Sequence, residues 1–539
     1  MLRSLRNTWK SGVENLSRRE WFQRLSVLGL PALLPGRFSF ARPAAQVLRL
    51  SEGIYQSIGV RPLINGRGTF TIISGSLMLP EVRSAMDAAA RHHVHLDELA
   101  EAVGARLAAL TGAEWGMVSS GCAAGLTHAT AACVAGGNPD LHIRIPNLQG
   151  FSRDEVIIPK HSRNVYDAAV RAVGVRVIEV ETAADIEAAL GPRTAMIYIL
   201  AGPQADRSPL NTRAIAQIAR QRGVPVLVDA AAEILTIPNV HLENGASLVG
   251  YSGGKCMRGP QSAGILLGRK DLVRAAWVHS APHHGFSRSM KVGKEEAIGM
   301  LAAVEMWVKR DHQAEWNQWV SWLDHIAKRV SAVEGVSTSL EQPEGLSNRT
   351  PSLVIRWDRT RLGLSGRTLA RILLDTEPRI ATAGARGGTR GTETGISITP
   401  YQMSAGEEKI IADRIFALLS GPPTRESAEP DQPPAVDLSG RWDVNIEYQA
   451  GRSNHSLFLK QQGNRIEGAH QGDFVSRDLA GDIAGDRVRM ASTYTERHGD
   501  ALSFEFTGRV SGDEMSGTLD MGEYLTAKWT AKRHEYRKE

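Results

Sequence analysis

The segment Ser252-Gly253-Gly254-Lys255-Cys256-Met257-Arg258-Gly259-Pro260-Gln261 stands at the end of one apolar run, 248–252, and just before another, 263–267. A lysine flanked by glycines at a strand end has a pinned backbone and a free side chain, which is what an internal Schiff base requires. One βα unit upstream, Pro225-Val226-Leu227-Val228-Asp229-Ala230-Ala231 carries its carboxylate at the C-terminal end of a strand. An aspartate there can hold a pyridine nitrogen protonated and so make the ring an electron sink. Farther upstream, Ser119-Ser120-Gly121-Cys122-Ala123-Ala124-Gly125 joins a strand to a helix. Its backbone N–H groups and the helix N-terminus suit a phosphate, and Ser120 and Ser252 can each add a hydroxyl.

Working outward, runs at 116–119, 156–158, 175–180, 195–200, 225–229, 248–252 and 263–267 read as buried strands, with helices such as 185–190 and 212–222 between them. That alternation predicts a right-handed, doubly wound, mostly parallel sheet covered on both faces. Phosphate cradle, aspartate and lysine, in that order and each at a strand end, form the layout of a fold-type-I pyridoxal phosphate enzyme. The long helical stretch 295–333 carries Trp307, Trp316, Trp319 and Trp322 at helical spacing, which favours packing between domains over nucleotide stacking. Strands at 352–357 and 395–399 and a helix at 407–419 predict a smaller α+β domain. The Pro-, Glu- and Ser-rich stretch 422–435 reads as a linker. After it the pattern alternates with period two, as in 456–460, 487–491, 503–506 and 526–530, so 436–535 is expected to be an all-β barrel or sandwich. Gly440-Arg441-Trp442 resembles the opening of lipocalin-like barrels, where the tryptophan plugs the interior. The expected organisation is a leader at 1–41, a large domain at 42–310, a small domain at 311–421, the linker, and the β module.

A chain of 539 residues, 42% hydrophobic and 22% charged, is a folded multidomain protein rather than a disordered one. Three cysteines, Cys122, Cys133 and Cys256, make no disulfide scaffold. The net charge of +5 lies in the first 41 residues, where seven basic residues face Glu14 and Glu20, so the remainder is neutral and nucleic acid is not an expected partner. That leader has Ser17-Arg18-Arg19-Glu20-Trp21-Phe22, a short apolar run from Leu25 to Leu34, and small residues at Ser39 and Ala41. It resembles a twin-arginine export signal, and the run is too short for the roughly 20 residues of a permanent membrane anchor. The expectation is a periplasmic or otherwise exported protein delivered by the twin-arginine machinery, or a cytoplasmic one if the signal does not act. His92-His93-Val94-His95 and His283-His284 match no metal-ligand spacing, and no metal is expected.

The runs Ser252–Gly264 (S-G-G-K-x-x-R-G-P-Q-x-x-G), Asp229-Ala230-Ala231-Ala232-Glu233, Arg288-x-x-Lys291-Val292-Gly293-Lys294-Glu295 and Val60-Arg61-Pro62-Leu63-Ile64-Asn65-Gly66-Arg67-Gly68 are similar to those of the selenocysteine synthase (L-seryl-tRNA selenium transferase) and D-glucosaminate-6-phosphate ammonia-lyase family over about 50–420. The resemblance implies pyridoxal 5'-phosphate, with Lys255 as the Schiff-base lysine and Asp229 as the partner of the pyridine nitrogen. It further implies Ser120, Gly121, Cys122 and Ser252 as phosphate contacts. His161 falls where enzymes of this fold often place a group over the ring. Where the transferases carry arginines for the selenium donor, this chain has Ser74-Gly75-Ser76-Leu77 and Arg288-Ser289-Met290-Lys291, so the ammonia-lyase branch is the closer fit. The expected reaction is deprotonation at Cα of an amino acid or amino-sugar acid and β-elimination to a 2-oxo acid and ammonia. A seleniumtransferase-like transferase or an amino-acid racemase is the alternative. Arg288 and Lys291 are candidates for a second anionic group, reached across the interface of a homodimer or higher homo-oligomer. Arg386, in a glycine-rich loop, is either a partner for the substrate carboxylate or a solvated arginine.

Overall fold

The computed structural model describes residues 48–385, 391–422, 432–495 and 501–535. The chain divides into two compact units, 1–62 and 63–539. In the first, the described residues fold into a short turn around the 3-10 helix Gln56–Ile58, which ends on Gly59 at φ +79°.

The second unit is built on a seven-stranded sheet: β1 Trp115–Ser119, β2 Glu155–Pro159, β3 Arg176–Val180, β4 Thr194–Leu200, β5 Val226–Asp229, β6 Leu248–Ser252 and β7 Gly264–Gly268, ordered β1-β7-β6-β5-β4-β2-β3. Six strands are parallel, and β7 runs antiparallel to both its neighbours. Side chains alternate across a strand, so burying both faces requires apolar residues at every position. Ile197, Ile199, Val226, Val228 and Val249 enter one core, while Met196, Tyr198, Leu227 and Leu248 enter the other. Around them pack α1 Pro80–Ala90, α2 Leu96–Thr111, α3 Cys122–Ala135, α4 Lys270–His279 and α5 Lys294–Lys309. Every residue of α3 except Ala123 is buried, and its Ala, Gly, Thr and Cys side chains let it lie close to the sheet.

After α5 comes α6 His312–Val330, then a four-stranded antiparallel sheet of β8 Val336–Glu341, β9 Ser352–Asp358, β10 Ala383–Gly384 and β11 Glu393–Ile398, with α7 Gly366–Asp375 and α8 Glu407–Ser420. Trp319 on α6 packs against the large-sheet core and Trp322 against the small one, which is the packing role read from the sequence.

Residues 440–533 form a closed eight-stranded barrel: β12 Gly440–Tyr448, β13 Gly451–Gln462, β14 Arg465–Gln471, β15 Ser476–Ala484, β16 Arg487–Thr495, β17 Ala501–Ser511, β18 Glu514–Asp520 and β19 Thr526–Arg533. Closure is made by β12 against β19. There Trp442 is fully buried, and the Arg533 guanidinium lies 4.5 Å over its ring while donating to the carbonyls of Ser439 and Asp437. Trp442, Phe506 and Trp529 fill the interior. Farther along it, His470 accepts or donates between His455 Nδ1 (2.8 Å) and Ser492 Oγ (2.7 Å).

Histidines buried without charge make the fold sensitive to acid. His128 in α3 has no hydrogen-bond partner on either ring nitrogen, and burial lowers its pKa to about 4; burial lowers those of His279 and His470 to about 3. The unfolded chain takes up these protons near pH 6.5 while the folded chain refuses them, so stability falls as pH drops from about 6.5 toward 4. Urea unfolding followed at several pH values is expected to show this decline. His128→Leu is expected to flatten it by up to about 1.4 kcal/mol per pH unit, and an unchanged slope would count against a neutral buried His128.

Candidate active site

The C-terminal ends of β1, β5 and β6 open onto a cavity of about 500 Å³. Ligands in open parallel sheets bind at that edge. Its lining comes from Arg67 to Thr71, Gly121 and the first turn of α3, Tyr166, Asp229, Ala231 and Ala232 with Ser252 and Lys255, and Asn348, Thr350, Thr399 and Tyr401 from the side of the small sheet.

Lys255 sits in the hairpin between β6 and β7, and local packing accounts for its neighbours. A Cβ on Gly253 would stand 2.3 Å from Met300 Sδ and 2.8 Å from the Ala263 carbonyl, and one on Gly254 2.3 Å from Gln261 Oε1. The loop is held by Gly253 N–H to Ala263 O, Gly259 N–H to Gly253 O, and Arg310 Nη1 to Cys256 O at 3.0 Å. Arg258, at φ +53°, reaches away to donate to Leu77 O. The Lys255 amine itself makes no hydrogen bond or ion pair among the described residues.

Asp229 ends β5 with 1% of its surface exposed. It accepts from Tyr198 Oη at 2.9 Å, from Ala231 N–H at 3.1 Å and, at a long 3.6 Å, from Cys122 Sγ. Tyr198 is held in turn by Asn164 Nδ2 at 3.0 Å. Burial raises the Asp229 pKa, against the pull of these donors and of the Lys255 cation. Such a carboxylate is stabilised by a further positive partner, which a protonated ring nitrogen supplies. Gly121, at φ +85° with open space where a Cβ would be, leads into α3, whose first N–H groups have no acceptor within the helix. Gly264 lets this turn approach, since a Cβ there would lie 2.7 Å from Cys122 N. Aspartate, lysine and anion-binding helix start thus share one cavity of a size that suits a pyridoxal phosphate with substrate.

Of the residues singled out from the sequence, Lys255, Asp229, Gly121, Cys122 and Ser252 line the cavity. Ser120 does not; its hydroxyl donates to Met290 O at 3.1 Å. His161 is also outside the lining, with Nε2 3.3 Å from Leu210 O and Nδ1 3.1 Å from Ser162 Oγ, whereas Tyr166 is in it. Arg288 and Lys291 are exposed and do not line the cavity of their own chain. Arg386 lies outside the described residues. Sequence reasoning passed over Arg67. Its turn is organised by Asn65, whose Oδ1 accepts from Arg67 N and Gly68 N, and its Nε is buried with no hydrogen bond. The signal was present: Arg67 stands between Gly66 and Gly68, a long charged side chain on a glycine-pinned turn, as Lys255 follows Gly253 and Gly254. Tyr198 was passed over as a strand residue, although a buried tyrosine hydroxyl normally has a partner.

A parallel α/β sheet with an antiparallel strand, a lysine on the hairpin that strand creates, and an aspartate ending the central strand define the fold-type-I, aminotransferase-like class. The aminotransferase class-V profile matches residues 160–285. Over 383 residues the chain is 29% identical to D-glucosaminate-6-phosphate ammonia lyase of Salmonella typhimurium, covering 69% of this chain and 96% of that enzyme. It is 32% identical over 351 residues to 5'-C-glycyluridine monooxygenase-decarboxylase of a Streptomyces species, covering 63% and 81%. L-seryl-tRNA(Sec) selenium transferase of Moorella thermoacetica matches at 27% over 300 residues, 49% of this chain and 60% of that one. A solved structure of D-glucosaminate-6-phosphate ammonia-lyase superposes with a TM-score of 0.61 at 28% identity, covering 68% of this chain and 98% of that one. The chain belongs to the family of fold-type-I enzymes that these relatives represent.

Tyr198→Phe removes one of the donors that hold the Asp229 carboxylate. Hydrogen bonds to charged groups contribute about 1.5–3 kcal/mol, so the variant is expected to bind pyridoxal phosphate about tenfold or more weakly in an absorbance titration. Equal affinity would disconnect Tyr198 from the cofactor site.

Proposed function

We propose that the chain is a pyridoxal-phosphate-dependent lyase that converts a β-hydroxy amino acid or amino-sugar acid to a 2-oxo acid and ammonia. The observation that carries this reading is the convergence, in one cavity, of the unengaged Lys255 amine, the buried Asp229 carboxylate and the orphaned Nε of Arg67. When bound, the cofactor supplies an aldehyde for amines and a ring that withdraws electrons. Gly121, the first turn of α3 and Ser252 would hold its phosphate, and Asp229 the proton on its ring nitrogen.

Tyr198 and Cys122 keep Asp229 in place as an acceptor. Lys255 Nζ takes the proton from the substrate Cα and stands where it can return one. Arg67 pairs with the substrate's carboxylate or phosphate, an ion pair that a half-buried guanidinium makes strongly. Loss of the α proton and the β-hydroxyl leaves an enamine, which water converts to the 2-oxo acid and ammonium. A transferase or a racemase shares the deprotonation and differs only in the fate of the carbanion. We include in the proposal a homodimer or higher oligomer and, supported by the order Arg18-Arg19, apolar run and Ala41, export through a twin-arginine leader.

Borohydride treatment of the loaded protein is expected to fix a pyridoxyl group on the peptide containing Lys255. Hydroxy-amino acids and phosphorylated amino-sugar acids are then expected to give 2-oxo acid, and Lys255→Ala to give none. Loss of optical rotation without oxo acid would replace the lyase by a racemase, and a protein that takes up no cofactor would end the enzyme reading. For the leader, replacing both Arg18 and Arg19 by lysine is expected to leave the protein in the cytoplasmic fraction, whereas unchanged fractionation would remove export from the proposal.

A further inference from the structure

A second cavity, of about 540 Å³, shares a wall with the first at Tyr401. Two segments divide the two: Ala231 and Ala232 line the catalytic cavity and Ile234 and Leu235 the other, while Asn348 and Thr350 line the first and Arg349 between them the second, and Tyr401 lines both. Its walls are aromatic. Trp307 is fixed by Nε1 donating to Leu235 O at 2.7 Å. Trp316 and Trp319 stand 6.4 Å apart between ring centroids, and Trp319 meets Tyr401 edge-on at 5.4 Å. These rings are only partly covered at Trp316 and Trp319, so packing between domains does not consume them.

The charges at the cavity are arranged asymmetrically. Arg310 is engaged, donating twice to Glu315 (2.9 and 2.8 Å) and once to Cys256 O, and His312 lies 3.5 Å from the same carboxylate. Arg349 is exposed and makes no ion pair or hydrogen bond among the described residues. The Arg310–Glu315 pair being neutral, Arg349 leaves the cavity with a net positive charge. Flat π surfaces with an uncommitted guanidinium recognise a planar ring that carries an anion. The volume is in the range of small-molecule sites.

We propose that this cavity is a second binding site, separate from the catalytic one, for a small planar aromatic anion of the nucleotide or aromatic-carboxylate class. The ring stacks on Trp316, with Trp319 tilted by 57° to it as a side wall, and the anionic group pairs with Arg349. The site does not depend on what the catalytic cavity does.

The test is a tryptophan-fluorescence titration of the full chain with adenosine 5'-monophosphate, uridine 5'-monophosphate and indole-3-carboxylate, with ribose 5-phosphate as the ring-free control. At least one ring-bearing anion is expected to quench saturably and the control not to, and which of them binds distinguishes nucleotide from carboxylate. Trp316→Ala and Arg349→Ala are each expected to weaken binding about tenfold, stacking and charge pairing both being of that order. Arg349 is exposed, so its variant should keep the thermal midpoint of the parent. Affinity should persist after pyridoxal phosphate has been reduced onto Lys255; if the chain takes up no cofactor, the titration of the unloaded chain still reports on this cavity. Absence of saturable quenching by all three anions overturns the proposal. So does undiminished affinity in both variants, loss of binding on cofactor loading, or a sedimentation profile in which Trp316→Ala dissociates an oligomer that binds none of the probes.

Discussion

A carboxylate held almost out of water at the end of a central strand is the constraint on which the site is built. Asp229 would be a costly group in an apolar core, and the sequence surrounds it with compensation: a hydroxyl from β4, a thiol from the start of α3, a backbone N–H two residues on, and a lysine cation across the cavity. Each comes from a different element, so the sheet order, the placement of α3 and the β6–β7 hairpin must all be right for one aspartate to be tolerated. In the function proposed above, a positive ring nitrogen offsets that cost.

The glycines show the same economy of space. Gly253 and Gly254 are fixed by what lies against them, Met300 and Gln261, and Gly264 by the backbone of Cys122. Contacts of this kind put Lys255 on a rigid loop while leaving its amine uncommitted. Precise placement with a free functional group is what positioning a reacting amine requires.

Much of this was readable from the chain. The seven runs correspond to the seven strands: the inner ones are apolar on both faces, the edge strand β3 keeps Arg176 and Glu179 exposed, and the ends of β5 and β6 marked Asp229 and the hairpin of Lys255. What was not readable depends on distance along the chain. Tyr198 and Asp229 are 31 residues apart and meet only because β4 and β5 pair in register. Arg67 reaches the cavity through a turn organised by the Asn65 side chain, a contact with no periodic signature. His161 follows a strand in the expected position, yet its ring turns to the Leu210 carbonyl, and no local pattern encodes that choice. The alternation in 436–535 marks strands but does not distinguish a barrel from a sandwich. Closure is decided by the pairing of its first and last strands, where Arg533 covers Trp442.

That seam between β12 and β19 brings the entry and exit of the barrel to the same pole, where Arg533 also grips the carbonyls of Asp437 and Ser439. All eight strands of the module are paired among themselves, so among the described residues the barrel leaves no strand edge open. The ammonia lyase of Salmonella typhimurium is spanned to 96% of its length by 69% of this chain. A module closed on itself in this way adds no strand to the sheet that holds Asp229.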